Sequence, residues 1–297
     1  MHKATPSLAL IVLCESLFHM SLADCSCEEG SVRTHVSSSG QRFEFHRCQK
    51  RWIALTSESD DSSIDQEKML SLPGRLFDFN FAEGDFRVGG KSIYVSALQK
   101  RTTSEQVDAD TGLTIWDGSV ILAKYLEHRG NLDGKRVLAL GSGVGLVGIS
   151  CGVLGAAVTM TDLDYVMDSL NHNIDKNKAS ISSGSLIGLP LDWTNWEGNA
   201  ITKQPFDIVL GADIVWLQSL IVPLCDLLKE ISIVNRNCEI LISYQSRSKM
   251  ADHVLYNSLE QRSFKVSKVL KDEMPSSFVS KRLDILKLEY IPQTKDV

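Results

Sequence analysis

A glycine-rich stretch near the middle of the chain, residues 138–148 with the sequence LALGSGVGLVG, has the composition of a ligand-binding turn. Glycine tolerates positive φ angles and lets a ligand approach the backbone closely. Read from Gly143, the stretch has the dinucleotide spacing G-x-G-x-x-G, and read from Gly141 it has the G-x-G-x-G spacing usual in methyltransferases that use S-adenosylmethionine. The loop alone favours neither cofactor, and it also fits a turn that only packs a strand against a helix. The candidate cofactor-binding residues here are Gly141, Ser142, Gly143 and Gly145.

Two further groups of residues follow predicted strands and could contact an adenosine. Asp162 ends a strand predicted at 157–161, where a carboxylate can accept hydrogen bonds from both ribose hydroxyls. Both cofactors contain this diol, so Asp162 does not discriminate between them. Asp192 and Trp193 follow a strand predicted at 185–191, where the indole could lie against the adenine and Asp192 could meet its edge. A solvated turn aspartate and a packed core tryptophan are the alternatives.

The sequence also offers candidates for the acceptor side of a transfer reaction. Asp213 and Trp216 follow a fourth predicted strand that ends at Ala212, itself a candidate cofactor contact. Methyl transfer is an in-line displacement whose rate depends mainly on alignment. If the nucleophile is an amine, Asp213 can hold it and Trp216 can form a wall that faces a cation. The alternative is that Asp213 caps the next helix. Trp116, ahead of the glycine loop, either covers the cofactor or packs in the core.

The elements that must position these residues alternate between strands and helices from about residue 111. The predicted strands lie at 136–140, 157–161, 185–191, 206–212 and 239–244, and the helices at 116–126, 146–154, 167–176, 217–234 and 253–261. This alternation is typical of a doubly wound parallel sheet. Two last strands, at 264–270 and 282–291, have no helix between them and should form an antiparallel hairpin. We therefore predict an α/β, Rossmann-like sheet of seven strands with a C-terminal antiparallel hairpin. A dinucleotide fold would continue with further βα units, so the layout favours a methyltransferase.

The region before residue 111 lacks the regular alternation of strands and helices. Residues 1–40 lack periodicity, and we expect them to be poorly structured. Residues 41–110 contain short runs of strand character, at 75–81 and 92–98, and read as a β-rich N-terminal extension. The methyltransferase domain is then expected at 111–297.

Composition narrows the functional classes. The chain has 297 residues, of which 43% are hydrophobic and 23% charged, as in an ordinary soluble globular protein. A net charge of −6 argues against nucleic-acid binding and is compatible with a lysine-rich protein partner. Seven cysteines without a C-x-x-C pair predict neither a disulfide framework nor a metal site. The apolar run at 7–18 is interrupted by Glu15 and too short to span a bilayer, which disfavours a signal peptide without excluding it. We expect a cytoplasmic or nuclear monomer.

The residues from Thr111 to Tyr290 resemble the family 16 protein-lysine methyltransferases, a group with a seven-stranded β-sheet. The resemblance is carried, in order, by TGLTIWDGSVILAKYL, the glycine loop followed by GLVGI, VTMTDLD, LDW and FDIVLGADIVW. It implies S-adenosylmethionine as cofactor and a lysine side chain of another protein as acceptor. It makes Asp213 the acidic residue of the family's D-x-x-Y element, near the acceptor. It assigns the following residues to cofactor binding: Trp116, Gly141, Gly143, Asp162 and Trp193.

Two positions depart from the family pattern. Ala139 stands where the family usually has a carboxylate that supports the methionine end of the cofactor, which predicts weaker binding. Trp216 replaces the tyrosine of D-x-x-Y, which keeps an aromatic wall but removes its hydroxyl. The prediction is an S-adenosylmethionine-dependent methyltransferase that acts on lysine in a protein. A small-molecule methyltransferase and a degenerate, non-catalytic binding protein stay open as alternatives.

Overall fold

The computed structural model describes residues 33–36, 42–46, 51–55, 76–98 and 110–292. The chain divides into two compact units, Met1–Gly74 and Arg75–Val297. In the first unit, strands β1 (Arg33–Val36), β2 (Arg42–His46) and β3 (Arg51–Leu55) form an antiparallel sheet in that order. Strand β1 lies within the region predicted to be poorly structured. The apolar run at 7–18, on which the signal-peptide prediction depends, lies outside the described residues.

The second unit is built on a seven-stranded sheet. A short antiparallel hairpin, β4 (Arg87–Val88) and β5 (Lys91–Ser92), precedes it. The strands of the large sheet are β6 (Arg136–Leu140), β7 (Ala157–Asp162), β8 (Ser185–Pro190), β9 (Ile208–Ala212), β10 (Glu239–Gln245), β11 (Phe264–Lys268) and β12 (Leu283–Tyr290). Their order is β11-β12-β10-β9-β6-β7-β8, with β6 to β10 parallel and β12 antiparallel to both of its neighbours. The predicted fold class is confirmed, including the C-terminal hairpin.

Five helices cover the two faces of this sheet. They are α1 (Asp117–Arg129), α2 (Leu146–Val153), α3 (Met167–Asn177), α4 (Gln218–Val234) and α5 (Lys249–Gln261). Alternate residues of β6 enter two different cores: Val137 and Ala139 pack with α1, α2 and α3, whereas Leu138 and Leu140 pack with α4 and α5. Burial on both faces explains the nearly continuous apolar character of the central strands. Because β6 pairs in parallel with both β7 and β9, the carboxyl ends of these three strands lie at one edge of the sheet.

The boundary of this unit lies before the predicted one at residue 111. Phe86, Val88 and Ile93 are fully buried in the core that includes α1. Because these side chains belong to the same core as the sheet, the compact unit begins at Arg75. The predicted boundary at residue 111 marks the start of the regular alternation of strands and helices in the sequence. It does not mark a boundary in the packing.

The strands predicted at 75–81 and 92–98 are wrong for two different reasons. Residues 76–81 alternate between exposed positions and half-buried or buried ones, as expected, but among the described residues they form no strand. One backbone hydrogen bond, from the N–H of Val95 to the carbonyl oxygen of Phe81 at 3.2 Å, joins the two segments. Residues 93–98 run beside α3, whose side chains replace a partner strand. Ser169, Asn173 and Asn177 lie one helical turn apart and accept hydrogen bonds from backbone N–H groups. The donors are the nitrogens of Leu98, Ser96 and Tyr94, at 3.2, 3.1 and 2.9 Å respectively.

Candidate functional site

The glycine loop joins β6 to α2 at the carboxyl edge of the sheet. Gly141 and Gly143 have φ angles of 57° and 54°, in the left-handed region. A Cβ on Gly141 would lie 2.8 Å from Cγ2 of Ile214 and 3.0 Å from Cζ2 of Trp193. A Cβ on Gly143 would lie 2.8 Å from the carbonyl oxygen of Gly112. The segment before α1 and Trp193, three residues after β8, therefore both close on the loop.

Two other loop residues have structural reasons for their identity. Gly145 is the N-cap of α2 with a φ of 96°, and a Cβ there would lie 2.7 Å from Cδ1 of Leu170 in the core. Ser142 donates its backbone N–H to the carbonyl oxygen of Thr161 at 2.9 Å and its hydroxyl to that of Ala139 at 3.0 Å. These contacts fix the loop on the sheet. The cofactor role of Gly145 and Ser142 stays a prediction.

Asp162 braces the loop from the neighbouring strand. Its Oδ2 accepts a hydrogen bond from the backbone N–H of Gly143 at 2.7 Å, and its Oδ1 accepts one from that of Leu163 at 2.8 Å. Burial raises the pKa of this carboxyl, and the two hydrogen bonds oppose the increase. Each carboxylate oxygen has a second acceptor site. The Asp162 carboxylate can therefore still accept hydrogen bonds from two ribose hydroxyls while it holds the loop. Because it is buried and hydrogen-bonded, it is not a freely solvated turn aspartate.

The two predicted adenine contacts differ in their surroundings. Trp193 is half-buried and its ring lies beside Gly141. Asp192 is exposed, and its Oδ1 accepts from the backbone N–H and the hydroxyl of Thr194 at 2.8 and 2.7 Å. Such a bond between a side chain and the backbone two residues on stabilises a turn. The structure thus brings Trp193 to the loop, whereas Asp192 is engaged in its own turn.

Asp213 is the most constrained residue at this edge. It follows β9 with a φ of 56°, and its side chain is only 4% exposed. Its backbone N–H donates to the carbonyl oxygen of Ser243 at 3.0 Å and to its hydroxyl at 3.1 Å. Its Oδ2 accepts from Nη2 of Arg247 at 2.8 Å. Among the side chains that the structure describes, Oδ1 of Asp213 is the one buried polar atom without a hydrogen-bond partner.

Asp213 is buried next to two charged side chains. Burial raises the pKa of Asp213, the Arg247 guanidinium lowers it, and Asp117 at the start of α1 raises it further. The guanidinium carbon of Arg247 lies 5.6 Å from the centre of the Trp116 ring, within the range of a cation–π contact. The structure thus brings Trp116 to the acidic residue through Arg247.

The interpretation of Asp213 as a helix cap is wrong. The N-cap of α4 is Leu217, with no side-chain hydrogen bond at the cap. Trp216 is half-buried in the connection between β9 and α4, and Ala212 is half-buried at the end of β9. Sequence reasoning missed Arg247, which lies 34 residues from its partner and belongs to no motif that the sequence displays.

The described part of the chain has neither a metal-binding cluster nor a membrane-spanning helix. There, no group of three or more His, Cys, Asp or Glu side chains is arranged to hold a metal ion. Among the described helices, none has the length and apolar character needed to cross a membrane.

The sheet order, the glycine loop after its first parallel strand and the acidic residues after its second and fourth define the class of S-adenosylmethionine-dependent methyltransferases. Comparison with known proteins agrees. A family described as "Lysine methyltransferase" matches residues 98–262, more than half of the chain. The chain therefore belongs to the lysine methyltransferase family. The predicted family is confirmed, and with it the family's cofactor, S-adenosylmethionine.

Individual relatives cover the same region. Protein N-lysine methyltransferase METTL21A of Danio rerio is 35% identical over 162 residues, which are 53% of this chain and 71% of that protein. EEF1A lysine methyltransferase 3 of Xenopus tropicalis is 36% identical over 150 residues, 48% of this chain and 61% of that protein. Across such relatives, the chain spans from 47% to 71% of their own length. A solved structure, the glycopeptide N-methyltransferase MtfA with S-adenosylmethionine, aligns with a TM-score of 0.46 at 13% identity over 59% of this chain and 95% of the other.

Proposed function

We propose that the chain methylates the Nζ atom of a lysine in another protein and that the acceptor nitrogen binds at Oδ1 of Asp213. The unpartnered oxygen carries this proposal. A buried acceptor without a hydrogen bond is costly, so such an atom needs a functional reason. It lies at the end of β9, next to the strand that leads into the glycine loop. An amine N–H would complete its hydrogen bonding.

The cofactor residues fit this arrangement. The left-handed backbone at Gly141 and Gly143 lets the loop turn closely beneath Trp193 and the segment before α1, Asp162 keeps acceptor capacity for the ribose, and Trp193 offers an aromatic ring beside the loop. The remaining proposed contacts are Trp116, Ser142, Gly145, Asp192 and Ala212. When bound, S-adenosylmethionine supplies a methyl group on a positively charged sulfur.

The chain's own residues must prepare the amine. Lysine has an ordinary pKa of about 10.4, so it reaches the site mainly as an ammonium. Desolvation at the buried end of β9 favours the neutral amine, so the ammonium gives up one proton to water before the attack. The free electron pair then forms the bond from nitrogen to the methyl carbon as the bond from that carbon to sulfur breaks, and S-adenosylhomocysteine is the leaving group. Asp213 then accepts a hydrogen bond from the amine and offsets the positive charge that develops on nitrogen. The same contact sets the direction of attack, and alignment supplies most of the rate.

Composition and relatives support the proposed partner. The two relatives above are named for methylation of proteins, and the net charge of −6 suits a lysine-rich surface. We propose a monomer that binds a protein substrate, without nucleic acid or membrane, in the cytoplasm and secondarily in the nucleus.

The test is transfer of a radiolabelled methyl group from S-adenosylmethionine to proteins of a source-cell extract. Asp213→Asn removes the charge and keeps a residue type that tolerates a positive φ. Asp207→Asn is its matched control, because Asp207 flanks the other end of β9 and also pairs with an arginine. We expect a labelled band with the wild type and the control, and none with Asp213→Asn. Hydrolysis of the band should yield methyl-lysine.

Measurements of cofactor affinity distinguish the remaining functional hypotheses. S-adenosylhomocysteine should bind all three proteins equally by calorimetry. If Asp213→Asn lost methyl transfer and cofactor affinity to the same extent, Asp213 would be assigned to cofactor binding and not to the acceptor. Label that appears only in the small-molecule fraction would indicate a small-molecule acceptor. Absence of any label, from folded protein that binds cofactor, would indicate the non-catalytic alternative.

A further inference from the structure

We infer that Arg247 is a positioning residue for methyl transfer, which orients the carboxylate of Asp213 so that one oxygen stays available to the acceptor amine. The inference rests on the proposed function, because it gives that oxygen a substrate. Arg247 itself need not touch the lysine, the cofactor or the reacting atoms.

The geometry of this ion pair differs from two other Arg–Asp pairs in the described residues. Arg136 contacts both oxygens of Asp207, at 3.0 and 3.0 Å through two different nitrogens. Arg262 likewise contacts both oxygens of Asp226, at 2.7 and 2.8 Å. These two-point pairs are the geometry that a guanidinium favours. The pair at Asp213 uses only Nη2 and Oδ2, at 2.8 Å, and thus leaves Oδ1 without a partner although it is buried.

A second contact explains why Arg247 does not rotate into the two-point geometry. Its guanidinium lies 5.6 Å from the ring of Trp116, and its side chain is 25% exposed. A guanidinium is attracted to the face of an aromatic ring, so the Trp116 ring restrains the guanidinium while Asp213 holds one of its nitrogens. Two restraints on one rigid group fix the direction of the hydrogen bond. The direction of that bond in turn fixes the carboxylate.

The loop that carries Arg247 is anchored on both sides. Before it, the hydroxyls of Tyr244 and Ser246 both donate to the carboxylate of Asp252 in α5, the second at 2.7 Å. After it, Ser248 caps α5 by accepting a backbone N–H at 3.0 Å. Arg247 thus lies on a short connection between β10 and α5 whose ends cannot move independently of α5. An arginine that served only to cover the surface would not need this support.

The same pair has an electrostatic consequence. Two charged groups act on Asp213: Arg247 from the β10–α5 connection, which lowers its pKa, and Asp117 from the start of α1, which raises it. Burial, the largest contribution, also raises the pKa. Without Arg247, the carboxyl would keep its proton to a higher pH. A protonated Asp213 cannot offset positive charge on the amine, so activity should then begin at a higher pH.

The experiment compares Arg247→Met and Arg247→Lys with Arg136→Met as the matched control. Arg136 forms its ion pair at the opposite end of the strands, where β6 begins. The readout is the initial rate of radiolabelled methyl transfer into proteins of the same source-cell extract, at saturating S-adenosylmethionine, as a function of pH. Calorimetry with S-adenosylhomocysteine and thermal unfolding accompany each variant.

We expect Arg247→Met to lower the rate at neutral pH by about tenfold to a hundredfold, the typical loss when a catalytic geometry is slightly misplaced. Its acid limb should move to higher pH. Arg247→Lys returns the charge, so the acid limb should return towards the wild-type position, but the rate should recover only in part because an ammonium cannot stack as a plane. Arg136→Met should retain both the rate and the pH profile. Cofactor affinity should stay equal in all variants.

The results separate this inference from the proposed function. If Arg247→Met matches Arg136→Met in rate and pH profile while Asp213→Asn is inactive, only the positioning role is refuted. A rate loss without movement of the acid limb, and without recovery in Arg247→Lys, would also refute it and indicate a general structural role. Full activity of Asp213→Asn would refute the proposed function itself. If Arg247→Met does not fold, the rate and pH profile of Arg247→Lys decide.

Discussion

Asp162→Ala tests the proposed contact between Asp162 and the ribose of the cofactor. The carboxylate accepts two backbone hydrogen bonds, at 2.7 and 2.8 Å, and we propose that it also accepts from the ribose hydroxyls. Hydrogen bonds to a charged group contribute about 1.5–3 kcal/mol. Loss of the ribose contact should therefore weaken binding of S-adenosylhomocysteine by about 10- to 150-fold.

Affinity alone does not isolate the ribose. The substitution also leaves the N–H groups of Gly143 and Leu163 without their acceptor, and this disturbs the loop. Because the carboxylate is desolvated in the fold, as its raised pKa indicates, the loss of stability should be smaller than two hydrogen bonds suggest. We expect the free energy of unfolding to fall by about 1–2 kcal/mol.

A double-mutant cycle with the ligand separates the two effects. Calorimetry would compare S-adenosylhomocysteine with its 2′,3′-dideoxyribose analogue on the wild type and on Asp162→Ala. The wild type should prefer the natural ligand by about 10- to 150-fold, and the variant should show almost no preference. A preference of the same size in both proteins would refute the ribose contact, even if the variant bound both ligands weakly.

Three further predictions concern the scaffold. Gly145→Ala should lower the free energy of unfolding by about 1–3 kcal/mol in urea titration, because φ is 96° and the new Cβ would enter the core, and because Gly145 is a proposed cofactor contact, the folded variant should also bind S-adenosylhomocysteine more weakly. Asn173→Ala removes three hydrogen bonds to backbone groups and should cost about 2–4 kcal/mol, with faster proteolysis within 93–98 as the second readout. Hydrogen bonds from Arg136 lower the pKa of Asp207 to about 2, so this pair stabilises the fold above pH about 4 and less as the pH falls towards 2. Asp207→Asn should remove that pH dependence, about 1 kcal/mol after allowance for solvent screening, in acid titrations of unfolding.

The central elements of the fold could be predicted because their sequence signals are local. Strand β6, the glycine loop and α2 follow one another without a gap, and each has a composition that few other structures share. The prediction failed where hydrogen-bond partners come from elsewhere in the chain. The alternation of polar and apolar residues at 76–81 indicates that one side of the segment is buried. It does not indicate whether another strand lies alongside to pair with it. Residues 93–98 obtain their partner from α3, about 75 residues later, and nothing in the segment itself indicates that helix.

The site was predictable to the same extent. Gly141, Asp162 and Asp213 each follow a strand, and the rule that parallel strands present ligands at their carboxyl ends brings them together. Arg247 also follows a strand, β10, but arginine near a strand end is common and carries no specific signal. Its importance depends on a direction, since one nitrogen faces Oδ2 of Asp213 while the guanidinium lies over the Trp116 ring. Directions of this kind follow from packing and cannot be read from residue types.

The two aspartates that flank β9 show how burial decides what an identical side chain does. Both pair with an arginine from another element. Asp207, whose side chain is 32% exposed, has both oxygens engaged and a lowered pKa, so its charge is satisfied and it stabilises the fold. Asp213, 4% exposed, has one oxygen engaged and a raised pKa, so its charge is incompletely satisfied. A carboxylate that is costly to bury gains most from a cationic partner, and a methylated amine acquires its positive charge at the moment of transfer. The unsatisfied end of β9 is therefore the end at which catalysis can be expected.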